Sequence, residues 1–147
     1  MLCVGFMSLP EAKRNNGGRP RGAASILVVE DDDEHREALA ELLRLSGFET
    51  WTAGDGADAL RTLDAMPTRP GLIVLDLEMP VMTGRELLAA LRAHPSRREI
   101  PIMITSGSGS RDGLAGLPFF AKPLAADALL EAVHKVLAPH RLPTGVR

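Results

Sequence analysis

Three short apolar runs in this chain each lead straight into charge. Ile26-Leu27-Val28-Val29 runs into Glu30 and Asp31, Leu72-Ile73-Val74-Leu75 into Asp76, and Phe119-Phe120-Ala121 into Lys122-Pro123. Continuous apolar runs of this length mark strands buried on both faces, the condition of a parallel sheet covered by helices. In such a sheet the residues just past the carboxyl ends of the strands share one crevice. The pattern therefore predicts that Glu30, Asp31, Asp76 and Lys122 converge. Three carboxylates gathered there repel one another unless a cation lies among them, and oxygen-only ligation with room for water suits Mg²⁺ better than a softer metal.

The rest of the chain supplies the helices that such a sheet needs. Asp32 or Asp33 is placed to cap a helix whose Ala38, Leu39, Leu42 and Leu43 form one stripe, closed by Gly47 after Ser46. A second strand is expected over Phe48 to Ala53, then a helix from Asp55 to Met66 stopped by Pro67. After Asp76 the segment 77–84 reads as a loop before a helix carrying Leu87, Leu88 and Leu91, which Pro95 ends. Ile100 to Thr105 is expected as the fourth strand, Phe119 to Ala121 as a short fifth, and Ala126 to Leu137 as the last helix. Gly107, Gly109, Gly113 and Gly116 argue against a full helix between the fourth and fifth strands, so a loop or a single turn is predicted there. Strands alternating with helices across short loops imply a parallel α/β sheet with helices on both faces.

Length and composition narrow the function. At 147 residues, 45% of them apolar, the chain has the size and apolar content of one domain. Residues 10–24 are rich in turn formers and charge, with Lys13, Arg14, Arg19 and Arg21 against Glu11 alone. They suggest a disordered leader over 1–24, a folded unit over 25–138 and a tail over 139–147. A net charge of −2, no Tyr and one Trp do not suggest a nucleic-acid partner. Cys3 alone allows neither an internal disulfide nor a Cys-based zinc site, and no apolar stretch approaches the roughly 20 residues that cross a bilayer. A cytoplasmic protein without a membrane partner is expected. His35, His94, His134 and His140 lack metal-ligand spacing and are read as solvated residues.

Within the crevice, Asp76 is the best nucleophile, because it closes the most apolar strand and so has a fixed backbone. A carboxylate can attack phosphorus and hold an acyl phosphate. Asp31, with Glu30, would position Mg²⁺, and Asp76 and the Glu78 backbone carbonyl would complete the protein ligands. Lys122 would balance a phosphoryl oxygen as a point charge, and a hydroxyl from Ser106, or failing that Thr105, could donate to another.

Taken in order, Ile26 to Asp32, the Asp76-Leu77-Glu78-Met79-Pro80-Val81-Met82-Thr83-Gly84 loop and Lys122-Pro123 resemble the receiver domain of two-component response regulators. The likeness spans roughly Ser25 to Ala138. It implies a flavodoxin-like (βα)5 doubly wound sheet of strand order 2-1-3-4-5, here with the fourth helix shortened or absent. It further implies that Asp76 is the phosphoacceptor, Glu30 and Asp31 the metal-binding acidic pair, and Lys122 the phosphate-contacting lysine, joined by a cis bond to Pro123. Neighbouring strand side chains alternate, so only one of Thr105 and Ser106 can face the crevice. Counting from Asp76, Ser106 sits at the family's interval, and it and Phe119 hold the two switch positions.

Two departures bear on output. Phe119 has no hydroxyl to exchange between partners, and the glycine-rich link stands where receivers usually place a helix. Nine residues after Ala138 are too few for an effector domain. The expected function is a single-domain receiver, a monomer or weak dimer. A histidine kinase or histidine phosphotransfer protein would dock on the helix from His35 to Leu45 and the loop after Lys122. The rival readings are a phosphorylation-independent receiver-like scaffold and a Mg²⁺-dependent phosphohydrolase, for which the sequence shows no base to activate water.

Overall fold

The structure is a computed structural model that describes residues 14–15, 24–108, 111, 113–114 and 116–137. Its strands are β1 (Arg14–Asn15), β2 (Ser25–Val29), β3 (Glu49–Ala53), β4 (Leu72–Asp76), β5 (Ile102–Ser106) and β6 (Phe119–Ala121). The helices are α1 (Asp33–Leu45), α2 (Gly56–Ala65), α3 (Gly84–Ala93) and α4 (Ala126–Leu137). One sheet joins all the strands in the order β1-β3-β2-β4-β5-β6. β2 to β6 pair in parallel, and counted among themselves they run 2-1-3-4-5, the expected flavodoxin-like order.

Alternation along each strand sorts the core into two layers. Leu27, Val29, Trp51, Ile73, Leu75 and Ile104 pack with Leu63 of α2 and Leu87, Leu88 and Leu91 of α3. Ile26, Val28, Leu72, Val74 and Met103 pack with Leu39 and Leu43 of α1 and Leu129 and Val133 of α4. Both faces of the central strands are thus covered, which is why β2 and β4 read as unbroken apolar runs. The stripe read on α1 needs one correction: Ala38 is exposed, and Ala40 is buried in its place.

Local chemistry sets the helix ends. Asp32 caps α1 by accepting the His35 N–H, Asp55 caps α2 by accepting the Asp58 N–H, and Thr83 with Glu86 forms a reciprocal capping box on α3. At the far end of α1, Gly47 takes φ 102°. Its N–H bonds to Arg44 O, and the Phe48 N–H bonds to Leu43 O, which satisfies the last carbonyls and turns the chain into β3.

Two differences from the sequence reading are physical. Arg14 and Asn15, placed in a leader without structure, pair antiparallel with Trp51 and Thr50. That gives the outer edge of β3 partners over two residues. The remainder of that leader up to residue 23 and the tail over 139–147 lie outside the described residues. β3 and β5 also start one and two residues later than expected, and β5 runs on to Ser106. Between β5 and β6 the structure agrees with the expected loop or single turn, and no helix forms among the described residues. Leu114 N–H bonds to Arg111 O and Leu117 N–H to Leu114 O as isolated turns, and Gly113 and Gly116 at φ 78° and 88° prevent helical continuation.

Candidate functional site

The order reversal places β2 in the middle of the sheet, between β3 and β4, so the chain leaves β2 and β4 on opposite sides and opens a crevice at their carboxyl ends. Glu30 follows β2 directly and is 5% exposed, and Asp76 closes β4 and is 2% exposed. Asp31 is exposed at the rim. One carboxylate oxygen from each of these three residues lies within 4.8 Å of the others. Lys122, just after β6, reaches in with Nζ 2.9 Å from Glu30 Oε1 and 3.4 Å from Asp76 Oδ2. A cis peptide bond joins Lys122 to Pro123. The four charges read from the strand ends are therefore brought together.

Backbone groups hold the acids in place. The Asp32 N–H donates to Glu30 Oε2 at 3.2 Å, and the Glu78 N–H donates to Asp76 Oδ1 at 3.1 Å. Gly84 opens α3 directly beneath the acceptor. A Cβ there would stand 2.3 Å from Asp76 O and 2.6 Å from Leu77 Cα, so only glycine lets the helix come this close.

Burial, followed by the neighbouring Glu30 charge, pushes the Asp76 carboxyl up to about 6, although the Glu78 N–H and Lys122 pull it the other way. Burial alone would lower Lys122, but its bond to Glu30 and the charges of Asp76 and Glu30 outweigh that and raise it. A cluster in which burial raises an acid among other acids gains from a cation. Its donor set is all carboxylate oxygen, which suits a hard divalent ion.

The hydroxyl positions are arranged differently from the acids. Thr105 is the sheet partner of Asp76, so alternation puts its buried side chain on the same face as the acceptor. Ser106 ends β5, and its Oγ donates to Glu78 Oε2 at 2.7 Å. Phe119 is half-buried at the rim of the core, with the Arg111 guanidinium 4.5 Å from its ring centroid.

The residue that sequence reasoning missed is the side chain of Glu78, valued there only for its backbone carbonyl. Its Oε1 accepts the Gly107 N–H at 2.9 Å and its Oε2 the Ser108 N–H at 3.1 Å, besides the Ser106 hydroxyl. The hydroxyls of Ser108 and Ser106 and the Gly107 N–H hold its carboxyl at about 2. No local pattern signals this contact, because its partners lie 28 to 30 residues further along the chain.

The profile of the response regulator receiver domain matches residues 26–134. The chain belongs to the response regulator receiver family. It is 42% identical over 118 residues to the transcriptional regulatory protein PrrA of Mycobacterium leprae, covering 76% of this chain and 49% of that protein. To the sensory transduction protein RegX3 of Mycolicibacterium smegmatis it is 34% identical over 119 residues, 77% of this chain and 50% of that one. The receiver thus spans about half the length of these curated relatives. Among solved structures it resembles the receiver domain of a signal transduction histidine kinase from Syntrophus aciditrophicus, with TM-score 0.72, 32% identity, and 80% and 92% of the two chains covered. The chemotaxis protein CheY4 of Vibrio cholerae gives TM-score 0.70 at 29% identity, with 78% and 99% covered. Receiver domains are phosphoacceptor signalling domains rather than classical enzymes, interact with histidine kinases and typically bind Mg²⁺ at an acidic cluster. The family's likeness to chemotaxis and transcriptional regulators places the chain in bacterial-type two-component signalling.

Proposed function

We propose that this receiver accepts a phosphoryl group on Asp76 from a histidine kinase or histidine phosphotransfer protein, and signals by phosphorylation-dependent partner binding or by passing the group on. The observation that carries the reading is the convergence of Glu30, Asp31 and Asp76, with Lys122 contacting two of the three. Glu30, Asp31, Asp76 and the Glu78 backbone carbonyl would hold Mg²⁺, whose chemistry when bound is to neutralise negative charge on the transferring group. Asp76 supplies the attacking oxygen, oriented by the Glu78 N–H. Lys122 offsets charge on a phosphoryl oxygen, and Ser106 donates to another: Thr105 shares the face of Asp76 along the strand, but Ser106 is the last residue of β5, and its hydroxyl already donates to a carboxylate in the loop that follows Asp76. Positioned charges of this kind supply most of the catalysis in phosphoryl transfer.

A groove of about 510 Å³ supports the site of donor docking. It is lined by Ala38, Leu39 and Leu42 of α1 and by Leu124 and Leu129, and it borders Glu30 and Lys122. A donor helix seated there would bring its phosphohistidine to the crevice. Among the described residues no helix is long and apolar enough to cross a membrane. The near-neutral charge and the lack of Tyr speak against nucleic acid only for these 147 residues. Relatives named as transcriptional regulators carry a receiver in part of their length, so transcription is one output such a receiver serves.

Incubation with Mg²⁺ and acetyl phosphate should add the mass of one phosphoryl group, and Asp76→Asn should add none. An unmodified parent protein after exposure to small-molecule donors and to the kinases of its own cell would defeat the reading. Two observations favour a second reading, a phosphorylation-independent scaffold: Phe119 has no hydroxyl, and no helix forms among the described residues of the β5–β6 link. Equal partner affinity in the parent and in Asp76→Ala would select it.

A further inference from the structure

The Glu78 carboxylate is gripped by three donors from one short segment: the Ser106 hydroxyl at 2.7 Å, the Gly107 N–H at 2.9 Å and the Ser108 N–H at 3.1 Å. The Ser106 hydroxyl also lies 3.1 Å from Ser108 Oγ, so the cradle is joined to itself as well as to the acid. Glu78 is tied at the same time to the acceptor, through its own N–H on Asp76 Oδ1. Convergent N–H and O–H donors of this kind form an anion site, and they serve a carboxylate or a phosphoryl group equally well. While Glu78 holds them, an incoming phosphoryl oxygen meets a negative charge where it needs a donor.

We infer that Glu78 is an internal stand-in for the phosphoryl group, occupying the Ser106–Gly107–Ser108 cradle in the unmodified protein and gating phosphoryl uptake at Asp76. The inference rests on the reading of Asp76 as phosphoacceptor. When a phosphoryl group arrives, the Glu78 side chain, already exposed, swings into solvent and the cradle closes on phosphoryl oxygens instead. The end of β5 then moves with its new ligand, so release of Glu78 is also the first step of output. This gives a chain whose Phe119 has no hydroxyl a second way to couple the acceptor to the β5–β6 link.

Phosphoramidate with Mg²⁺ is the probe. An Asp76 carboxylate oxygen forms the new bond to phosphorus, the P–N bond breaks, and the nitrogen leaves as ammonia with a proton from solvent. Uptake is followed by intact mass in the parent, Glu78→Ala, Glu78→Gln, Ser106→Ala and the double variant Glu78→Ala/Ser106→Ala. Glu78→Ala should take up phosphoryl roughly tenfold faster than the parent, with Glu78→Gln between them, because charge-assisted hydrogen bonds no longer have to break. In the Ser106→Ala background the gain should fall to about threefold or less, since one of the three competing donors is gone. In metal-free protein the Gly107 and Ser108 amide proton resonances should move upfield in Glu78→Ala.

Equal or slower uptake in Glu78→Ala overturns the gate, and so do unmoved amides. A gain fully retained in the Ser106→Ala background assigns it to charge repulsion alone and overturns the gate as well. No uptake in any of the proteins, the parent included, defeats the phosphoacceptor reading and the gate with it. Equal uptake in parent and variant defeats the gate alone.

Discussion

The two sides of the site are built on opposite principles. Toward β2 and β6, Glu30, Asp31 and Asp76 crowd together with Lys122 as the cation between two of them, and Asp76 is held up at about 6. Toward β5, Glu78 is fully partnered and held at about 2. One side is an unbalanced cluster that a cation and a phosphoryl group would complete. The other is a balanced contact that the same group would have to break. The difference teaches where the chain stores its readiness to react and where it stores resistance to switching. Buried strand ends cannot relax away from their neighbours, whereas a solvated loop can choose its partners.

Four experiments set the two sides against each other, beginning with the strongest expected effect. Lys122→Ala should slow phosphoryl uptake by about 100-fold, the scale seen on removing one preorganised charge from a reacting group. It should at the same time tighten Mg²⁺ binding in calorimetric titration, because a competing cation has left Glu30 and Asp76. Weaker Mg²⁺ binding would mean that Lys122 organises the acids rather than competing for them.

Gly84→Ala should destabilise the fold by about 1–3 kcal/mol in urea denaturation, since the added methyl runs into the Asp76 carbonyl and the Leu77 backbone. Unchanged stability would show that the acceptor's surroundings yield more easily than this contact implies.

Asp76→Asn should act in the other direction. Asp76 titrates at about 6 in the folded chain and near 3.9 in an unfolded one, so the native state keeps a proton that the unfolded chain releases between those values. Stability from this group is therefore greatest below about pH 4 and is lost as the pH rises through about 6. At pH 7 without Mg²⁺ the variant should be more stable than the parent by on the order of 1–2 kcal/mol, allowing for solvent screening, and the gain should vanish at pH 4. Saturating Mg²⁺ should restore the parent and leave the variant almost unmoved. A gain that is independent of pH would place its origin elsewhere than in the buried charge.

The smallest effect belongs to the β5 side. Arg111→Ala should cost about 0.5 kcal/mol, the scale of an exposed cation–π contact, and leave phosphoryl uptake unchanged. A large change in uptake would join Phe119 to the acceptor more tightly than the contrast between the two sides allows.

Legibility in the sequence followed the same division. Ile26 to Val29 and Leu72 to Leu75 announced themselves as buried strands, and the meeting of Glu30, Asp31, Asp76 and Lys122 followed, whereas the strand order came from the resemblance to receiver domains. The pairing of Arg14 and Asn15 with β3 could not be read, since two polar residues carry no alternation and the partner strand decides. Ala38 and Ala40 were exchanged because they are the same residue on the two flanks of one helical stripe, and packing against the sheet sets the rotation.

What the residue order determined by itself was periodicity and punctuation: apolar runs, caps, the glycines that break the β5–β6 link, and charges set at strand ends. These are local, and each follows from propensity or from a turn only a few residues long. Tertiary structure alone decided that the Glu78 side chain would hold Ser106, Gly107 and Ser108, and that Thr105 rather than Ser106 would share a face with Asp76. Those outcomes depend on strand register and on a loop folding across the sheet end, where a shift of one residue changes every partner.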